Sequence, residues 1–409
     1  MLNKLTDIIR IIILFFSTIG IAMFLSCNSR SDKISSDMTV ISFEQSLEQK
    51  RSMKLSDIAD TLIYLELRTP EDLVVSRVWK VFKIDNSWII HSNSGVMRFT
   101  SDGQYMATIG HKGGGPGEYN MVFDIAIDST KKEVILSDSR KILFYDLTGR
   151  FLRNINMESG GQIEFSDNII WLATLAHRTM PYSAIAINEQ GDTVSMMPNP
   201  YYGHKCEDAG MGVSSSKFWA SFYSYNGKLY LKGKEDNDTV FLLNGAERKP
   251  HLLFDMGKYK LPVEYEPWYN YETFLKESYR YWGISSVLED DEYMYITSQR
   301  FSDPDGENYK HKESNFRYIL YDKSSKESFI TDGPEGTRFF DDIQGGPAFW
   351  PRWDVDGYYV NAIEWYDLSQ ELKQGNYDVS PAFQEQFEKW GYDTNSLILL
   401  ARKKNNNEH

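Results

Sequence analysis

The chain has 409 residues, of which 41% are hydrophobic and 25% charged, a composition typical of folded proteins and not of disordered ones. Aromatic residues make up 14% of the chain and favour β-structure, because flat rings pack well on pleated surfaces. The formal net charge of -14 predicts no nucleic-acid partner, since an acidic protein repels a phosphate backbone.

Residues 1–26 are predicted to be a lipoprotein signal peptide. Lys4 and Arg10 precede the uncharged run 11–25, which is shorter than the roughly 20 residues needed to span a bilayer. The run ends in FLSC, which resembles a bacterial lipobox except that Phe24 stands where Leu is usual. The resemblance implies that Cys27 is lipidated and attaches the protein to the outer membrane. Plain cleavage and an uncleaved anchor are the alternatives.

After a predicted polar tether over residues 27–55, two kinds of β-hairpin alternate from residue 56 to 409. Six hairpins turn at tight Asp/Asn/Gly positions and lie at 79–92, 123–138, 163–175, 221–233, 285–298 and 351–365. Five others have polar turns between β-rich flanks and lie at 95–110, 141–155, 183–197, 238–254 and 317–331. This alternation predicts an all-β propeller with four strands in each blade. A β-sandwich or two small β-domains are the alternative folds.

Six inner hairpins and five outer hairpins leave one half-blade missing. The strand-like segments 396–404 and 61–68, near the two ends of the chain, both need partners. Their pairing would close a six-bladed ring and leave no exposed edge there. Two short helical insertions are predicted as well, at 270–282 and at 380–391, where Ser380 is the expected N-cap and Pro381 the first helical residue.

A glycine-rich loop separates the first two blades and contains Gly113, Gly115, Pro116, Gly117 and Glu118. The segment resembles the G-x-G-P-G-E-[YF] motif of the six-bladed β-propeller lipoproteins of Gram-negative anaerobes, which are themselves similar to NHL-repeat propellers. This resemblance implies the same fold and location but no particular reaction. A Walker motif and a following helix are both lacking, so we interpret the loop as a structural turn that needs positive φ.

The long connections all fall on one face of the predicted ring, whereas the turns on the other face are short. They lie at 175–182, 199–219, 257–283, 299–315 and 332–352. Because long aromatic loops commonly bind something, we expect ligand contact on this decorated face. The candidate ligand-binding residues are Trp268 and Tyr269, which would stack on sugar rings, and His177, Arg178, Arg300 and Arg352 near the channel mouth. A local aromatic cap and solvated surface arginines are the alternatives.

The sequence contains no recognisable catalytic or metal-binding motif, so no catalytic residue, metal site or cofactor is predicted. The expected function is a non-catalytic binding module for a glycan or a partner protein in nutrient handling. The alternative is a hydrolase or lyase that acts on polysaccharide. Acids and a base converging in a deep channel would favour the enzyme, and a shallow aromatic platform would favour binding.

Overall fold

A computed structural model of the protein describes residues 38–174, 180–199, 202–203, 220–233, 238–266, 271–301, 315–331, 338–375, 377–391 and 393–404. These residues form a six-bladed β-propeller with a few short helices, so the predicted fold class is confirmed. In this part of the chain, no helix is both long enough and apolar enough to cross a membrane.

Between Met38 and the first blade, the chain forms three strands and two short helices. They are β1 (Thr39–Ser42), α1 (Phe43–Glu48), β2 (Lys50–Arg51), α2 (Leu55–Ile58) and β3 (Ala59–Glu66).

Blades one to three each consist of four consecutive antiparallel strands. Blade one contains β4 (Val78–Ile84), β5 (Ser87–Ser92), β6 (Gly95–Thr100) and β7 (Tyr105–Thr108). Blade two contains β8 (Asp124–Asp128), β9 (Glu133–Ser137), β10 (Lys141–Asp146) and β11 (Phe151–Asn156). Blade three contains β12 (Gly161–Ser166), β13 (Ile169–Thr174), β14 (Tyr182–Asn188) and β15 (Thr193–Pro198).

Blades four to six complete the ring. Blade four contains β16 (Ser221–Tyr225), β17 (Lys228–Lys232), β18 (Thr239–Asn244) and β19 (Glu247–Asp255). Blade five contains β20 (Trp282–Glu289), β21 (Tyr293–Arg300), β22 (Phe316–Asp322) and β23 (Glu327–Thr331). Blade six contains β24 (Trp353–Val355), β25 (Tyr358–Ile363), β26 (Leu397–Lys403) and, on its outer edge, β3.

The tight turns of the inner hairpins have the backbone conformation that their sequences predict. Both central residues have positive φ at Asp85-Asn86, Asp167-Asn168, Asn226-Gly227 and Asp356-Gly357. Two-residue turns of this kind match the right-handed twist of paired strands, and Asn, Asp and Gly adopt them most readily. The turn residues therefore fix the register of these hairpins.

The predicted closure of the ring is confirmed. Strand β26 pairs antiparallel with β25 on one side and with β3 on the other, where Leu400 lies opposite Ile63. Leu397, Ile398 and Ala401 of β26 are fully buried. The two ends of the chain thus complete one blade, and no free edge remains between them.

The core is divided into six hydrophobic clusters, each lying between two neighbouring blades. Strand β9 contributes side chains to two of these clusters. Val134 and Leu136 face blade one. Ile135, between them, faces blade three. Because side chains alternate across a strand and both faces are buried, the three central residues of the strand are all apolar.

The predicted tether over residues 27–55 is wrong from Thr39 onward. Strand β1 adds in parallel to the outer strand of blade four, and β2 adds in parallel to the outer strand of blade five. The apolar residues Ile41, Phe43 and Leu55 explain this order, because all three are buried against the propeller. We call residues 39–58, which cover these edges, the N-terminal strap.

The helices also differ in number from the two that were predicted. Those expected are present as α3 (Tyr271–Glu277) and α5 (Pro381–Phe387), and the Ser380 hydroxyl accepts a hydrogen bond from the Phe383 N–H, 3.1 Å away. Helices α1 and α2 and helix α4 (Trp365–Gln374) were missed. Single-turn 3-10 helices lie at Gly257–Tyr259, Val263–Tyr265 and Ser278–Arg280.

Candidate functional site

The innermost strands of the blades surround a central cavity of about 1350 Å³. At one end it is lined by the decorated-face connections, including Asn93 and Lys112, and it extends along the strands to Lys83 and Asp356. A volume above the roughly 300–1,000 Å³ typical of small-molecule sites can hold a ligand of several rings. The cavity is therefore the strongest candidate site in the described residues.

Aromatic side chains stand along the cavity wall, among them Trp79, Phe222, Phe316, Tyr318, Trp350 and Trp353. Uncharged amide and hydroxyl side chains line it as well, among them Asn93, Gln162, Ser224, Ser286, Gln299 and Asn361. Trp79 remains 45% exposed although its Nε1 donates a 2.8 Å hydrogen bond to Asn93 Oδ1. This ring is thus held in place with part of its surface available to a ligand.

Of the candidate ligand-binding residues, Arg352 lines the cavity. Arg300 instead donates from Nη1 to the Tyr279 carbonyl at 3.1 Å, and its guanidinium lies 4.8 Å from the Trp282 ring centre. His177, Arg178, Trp268 and Tyr269 lie outside the described residues, as does Cys27.

The described part of the 257–283 insertion packs inward. Tyr259 meets Phe43 of the N-terminal strap edge to face at 5.4 Å, and Tyr265 meets Tyr281 in the same way at 6.1 Å. Phe274 is buried. These five aromatic rings of the insertion and the strap support the loop, so their contacts are structural.

The glycine-rich loop is closed by its own hydrogen bonds. The Gly115 N–H donates to Glu118 Oε2 at 2.7 Å, and the Gly117 carbonyl accepts from Tyr145 Oη at 2.9 Å. Gly117 has φ +75°, and a Cβ there would lie 2.4 Å from the Phe151 ring. Glu118 is therefore engaged within the loop, and Gly117 permits close packing against blade two.

A charged cluster joins the innermost strands of blades one, two and three. Lys80 Nζ lies 3.1 Å from both Asp124 Oδ2 and Glu164 Oε2, and it donates to the Ile163 carbonyl at 3.0 Å. Burial alone would lower the pKa of Lys80, but the two carboxylates outweigh it and raise this pKa. Burial raises the pKa of Glu164, and repulsion from Asp124 adds to that effect.

His91 lies beside this cluster at the end of β5 and lines the cavity, although only 3% of its surface is exposed. Within the described residues, its Nδ1 has no hydrogen-bond partner. Burial lowers the pKa of His91 to about 4, because the imidazolium would lose its hydration, and the nearby Lys80 charge opposes protonation as well. His91 is therefore neutral at pH 7.

On the cavity wall formed by β24, the acidic side chains have ion-pair partners, whereas the arginine that precedes the strand has none among the described residues. Asp354 is paired with Lys403, and Asp356 is paired with Lys83. Arg352 forms no ion pair with any described carboxylate, and its guanidinium lies 4.4 Å from the Trp353 ring centre. Desolvation by the enclosing walls, together with the nearby Arg77 charge, lowers the pKa of Arg352 to about 10. Since the side chain is open to the channel, it stays protonated at pH 7.

Lys80, His91 and Trp79 were missed in the sequence analysis, which took its candidates from the long loops. Position within the blade was the available signal, since the side chains of the first strand in each inner hairpin can reach the channel. No group of three His, Cys, Asp or Glu residues suited to a metal ion occurs within the described ranges.

Fold and cavity together define a six-bladed propeller with a ligand-sized central channel. Residues 38–402 match the Domain of unknown function (DUF4934), and the chain belongs to this family. No protein with a curated description matches the chain in sequence.

Among solved structures, the chain is similar to a Bacteroides fragilis protein that is provisionally described as exported. The two share 18% identity over 90% of this chain and 100% of the other, with a TM-score of 0.65. The chain also matches BamB of Moraxella catarrhalis, with 12% identity over 66% and 65% of the two chains and a TM-score of 0.37. The first of these similarities supports the fold.

Proposed function

We propose that this protein is a non-catalytic binding module that holds a glycan in its central channel. The observation that carries the proposal is the lining of the 1350 Å³ cavity, where aromatic rings occur together with many amide and hydroxyl groups as well as charged side chains. Sugars offer flat C–H faces for stacking and many hydroxyl groups for hydrogen bonding. A partner-protein segment in the channel is the other ligand that the sequence analysis leaves open.

Acids and a base in a deep channel would favour an enzyme, whereas aromatic rings on the wall would favour binding, and this cavity has both features. Acids and a base do converge in a deep channel, at Lys80, Asp124 and Glu164. However, both carboxylates are bound to the same ammonium group, and Asp124 also accepts from the Ile163 N–H at 3.0 Å. Paired catalytic acids of a glycosidase flank the scissile bond instead. The cluster is better explained as a tie between three blades, so we favour binding over hydrolysis or lysis.

The proposed location is the cell envelope, with a lipid on Cys27 that attaches the protein to the outer membrane. The predicted signal peptide and the FLSC sequence support it. The similar Bacteroides fragilis protein, which bears a description as exported, is consistent with that location. The candidates Trp268, Tyr269, His177 and Arg178 remain predicted ligand contacts on the decorated face.

The test is calorimetric titration of the protein, without residues 1–26, against a panel of soluble oligosaccharides. For an oligosaccharide that binds, Trp79→Ala should weaken the affinity about tenfold or more, as expected for loss of one stacked ring. Tyr366→Ala is the matched control, because Tyr366 is 55% exposed on α4 and does not line the cavity.

Two results would contradict the proposal. Equal losses for the Trp79 and Tyr366 variants would show that the channel is not the site. New reducing ends or unsaturated products during incubation with the bound oligosaccharide would show that the protein is an enzyme.

A further inference from the structure

The wall between blades six and one carries two arginines in equivalent positions. Arg77 immediately precedes β4, and Arg352 immediately precedes β24, so each stands where an innermost strand begins beside the channel. Blades two to five have Phe123, Gly160, Ala220 and Tyr281 in that position. Of these six equivalent positions, those of blades one and six carry an arginine.

Among the residues that the structure describes, neither arginine is paired with an acid. Within the described ranges, no carboxylate lies in ion-pair distance of Arg77 or Arg352, whereas Lys80 and Lys83 are both paired with acids. The acid nearest along the strand, Asp354, is bound to Lys403. Two unpaired guanidinium groups near each other repel, so an anion between them would be stabilised by both.

Each guanidinium is held on an aromatic ring. Arg77 lies 5.1 Å from the centre of the Trp79 ring, and Arg352 lies 4.4 Å from the centre of the Trp353 ring. Arg77 is also fixed by its backbone, because it has φ +40°, an uncommon value for a residue with a side chain. Both cations of this wall are therefore held by stacking on a neighbouring tryptophan.

We infer that this sector binds the oxyanion substituent of an acidic saccharide, a carboxylate or a sulfate ester, between Arg77 and Arg352. The inference rests on the proposed glycan-binding function and specifies its ligand class. Trp79 and Trp353 provide the stacking surface for the sugar ring, and the arginines select for the charge. An acidic protein with net charge -14 gains little long-range attraction for such a ligand, so the recognition is local.

The experiment titrates the protein with three oligosaccharides of matched length: an oligogalacturonate, its methyl ester and a sulfated galactan oligomer. We expect at least one anionic oligomer to bind about tenfold or more tightly than the ester, since a hydrogen bond to a charged group contributes that much. The anionic oligomer that shows this preference identifies the substituent as carboxylate or sulfate. Raising the salt concentration should reduce the preference.

Arg352→Gln should abolish the preference, so that the folded variant binds the ester and the anionic oligomers with similar affinity. Arg150→Gln is the matched control, since Arg150 is exposed and paired with Asp146 at a turn on the short-turn face. Should Arg352→Gln fail to fold, Arg77→Gln, at an exposed position, provides the same comparison.

The outcomes separate the two hypotheses. Equal binding of the ester and the anionic oligomers, or an undiminished preference in the folded variants, overturns the anion site and leaves glycan binding intact. Binding of none of the three, nor of any neutral oligosaccharide, overturns both. Binding of an acidic peptide with no saccharide binding would assign the channel to a protein partner.

Discussion

Deletion of residues 396–409 removes β26, and we predict that the remaining chain does not fold. Leu397, Ile398, Leu399 and Leu400 are all at most 6% exposed. Burial of each stabilises the fold by about 1.5–3 kcal/mol, so the four contribute about 6–12 kcal/mol. That range is comparable to the ~5–15 kcal/mol stability of a whole domain. The deletion also leaves β25 and β3 without their shared partner.

A point substitution measures the same closure within a folded protein. Ile398→Ala should lower the free energy of unfolding by about 2–5 kcal/mol, because a fully buried side chain leaves a cavity between blades six and one. The matched control is Ile63→Ala in β3, where the side chain is 42% exposed and the expected loss is below about 1 kcal/mol.

The assay is urea unfolding followed by tryptophan fluorescence, with far-ultraviolet circular dichroism for the deletion. Similar losses for the two isoleucine variants would refute the reasoning that β26 is the buried centre of the closing blade. An unchanged melting temperature after the deletion would refute closure itself.

Three further predictions concern single residues. Gly117→Ala should destabilise the fold by more than about 1 kcal/mol in thermal unfolding, because φ is +75° and the added Cβ would overlap a neighbouring ring; Gly114→Ala, in open space, should be nearly neutral. The pKa of His91 is about 4 in the fold and about 6.5 in the unfolded chain. The contribution of neutral His91 to the free energy of unfolding is therefore full above pH 6.5 and is lost as the pH falls toward 4. Between pH 7 and 4, the free energy of unfolding measured in urea should therefore fall by about 3 kcal/mol less for His91→Phe than for wild type. The control His111→Gln, at an exposed position, should behave as wild type. Cys27→Ala should move the protein from the membrane to the soluble fraction; continued sedimentation with membranes would mean that anchoring has another cause.

The blades could be predicted because each hairpin is a local feature. Alternating apolar runs and positive-φ turns such as Asp85-Asn86 specify a hairpin within about fifteen residues. Closure could also be inferred, since two unpaired strand-like ends needed partners. Pairing of β1 with β19 could not be inferred, because a four-residue strand leaves no signal of a partner more than 200 residues away.

The candidate site was only partly predictable. Loop length drew attention to Arg352, which follows a long connection and lines the cavity. Trp79 and Lys80 lie in a strand whose pattern is that of any inner hairpin, so nothing local distinguishes their role. Which side chains face the channel depends on strand tilt and on how the blades pack, and both are set by the whole ring.

The position of the N-terminal strap has a consequence for the order in which the protein is made. Thr39 leaves the ribosome before any blade exists, yet it pairs with Leu252, and Leu65 pairs with Ile398 near the very end of the chain. Strand β1 stays unpaired until β19 has been made, and β3 stays unpaired until β26 has been made. Contacts so distant in sequence form slowly. The chain therefore completes its fold only when β26 emerges, and until then its earliest segments depend on protection from aggregation.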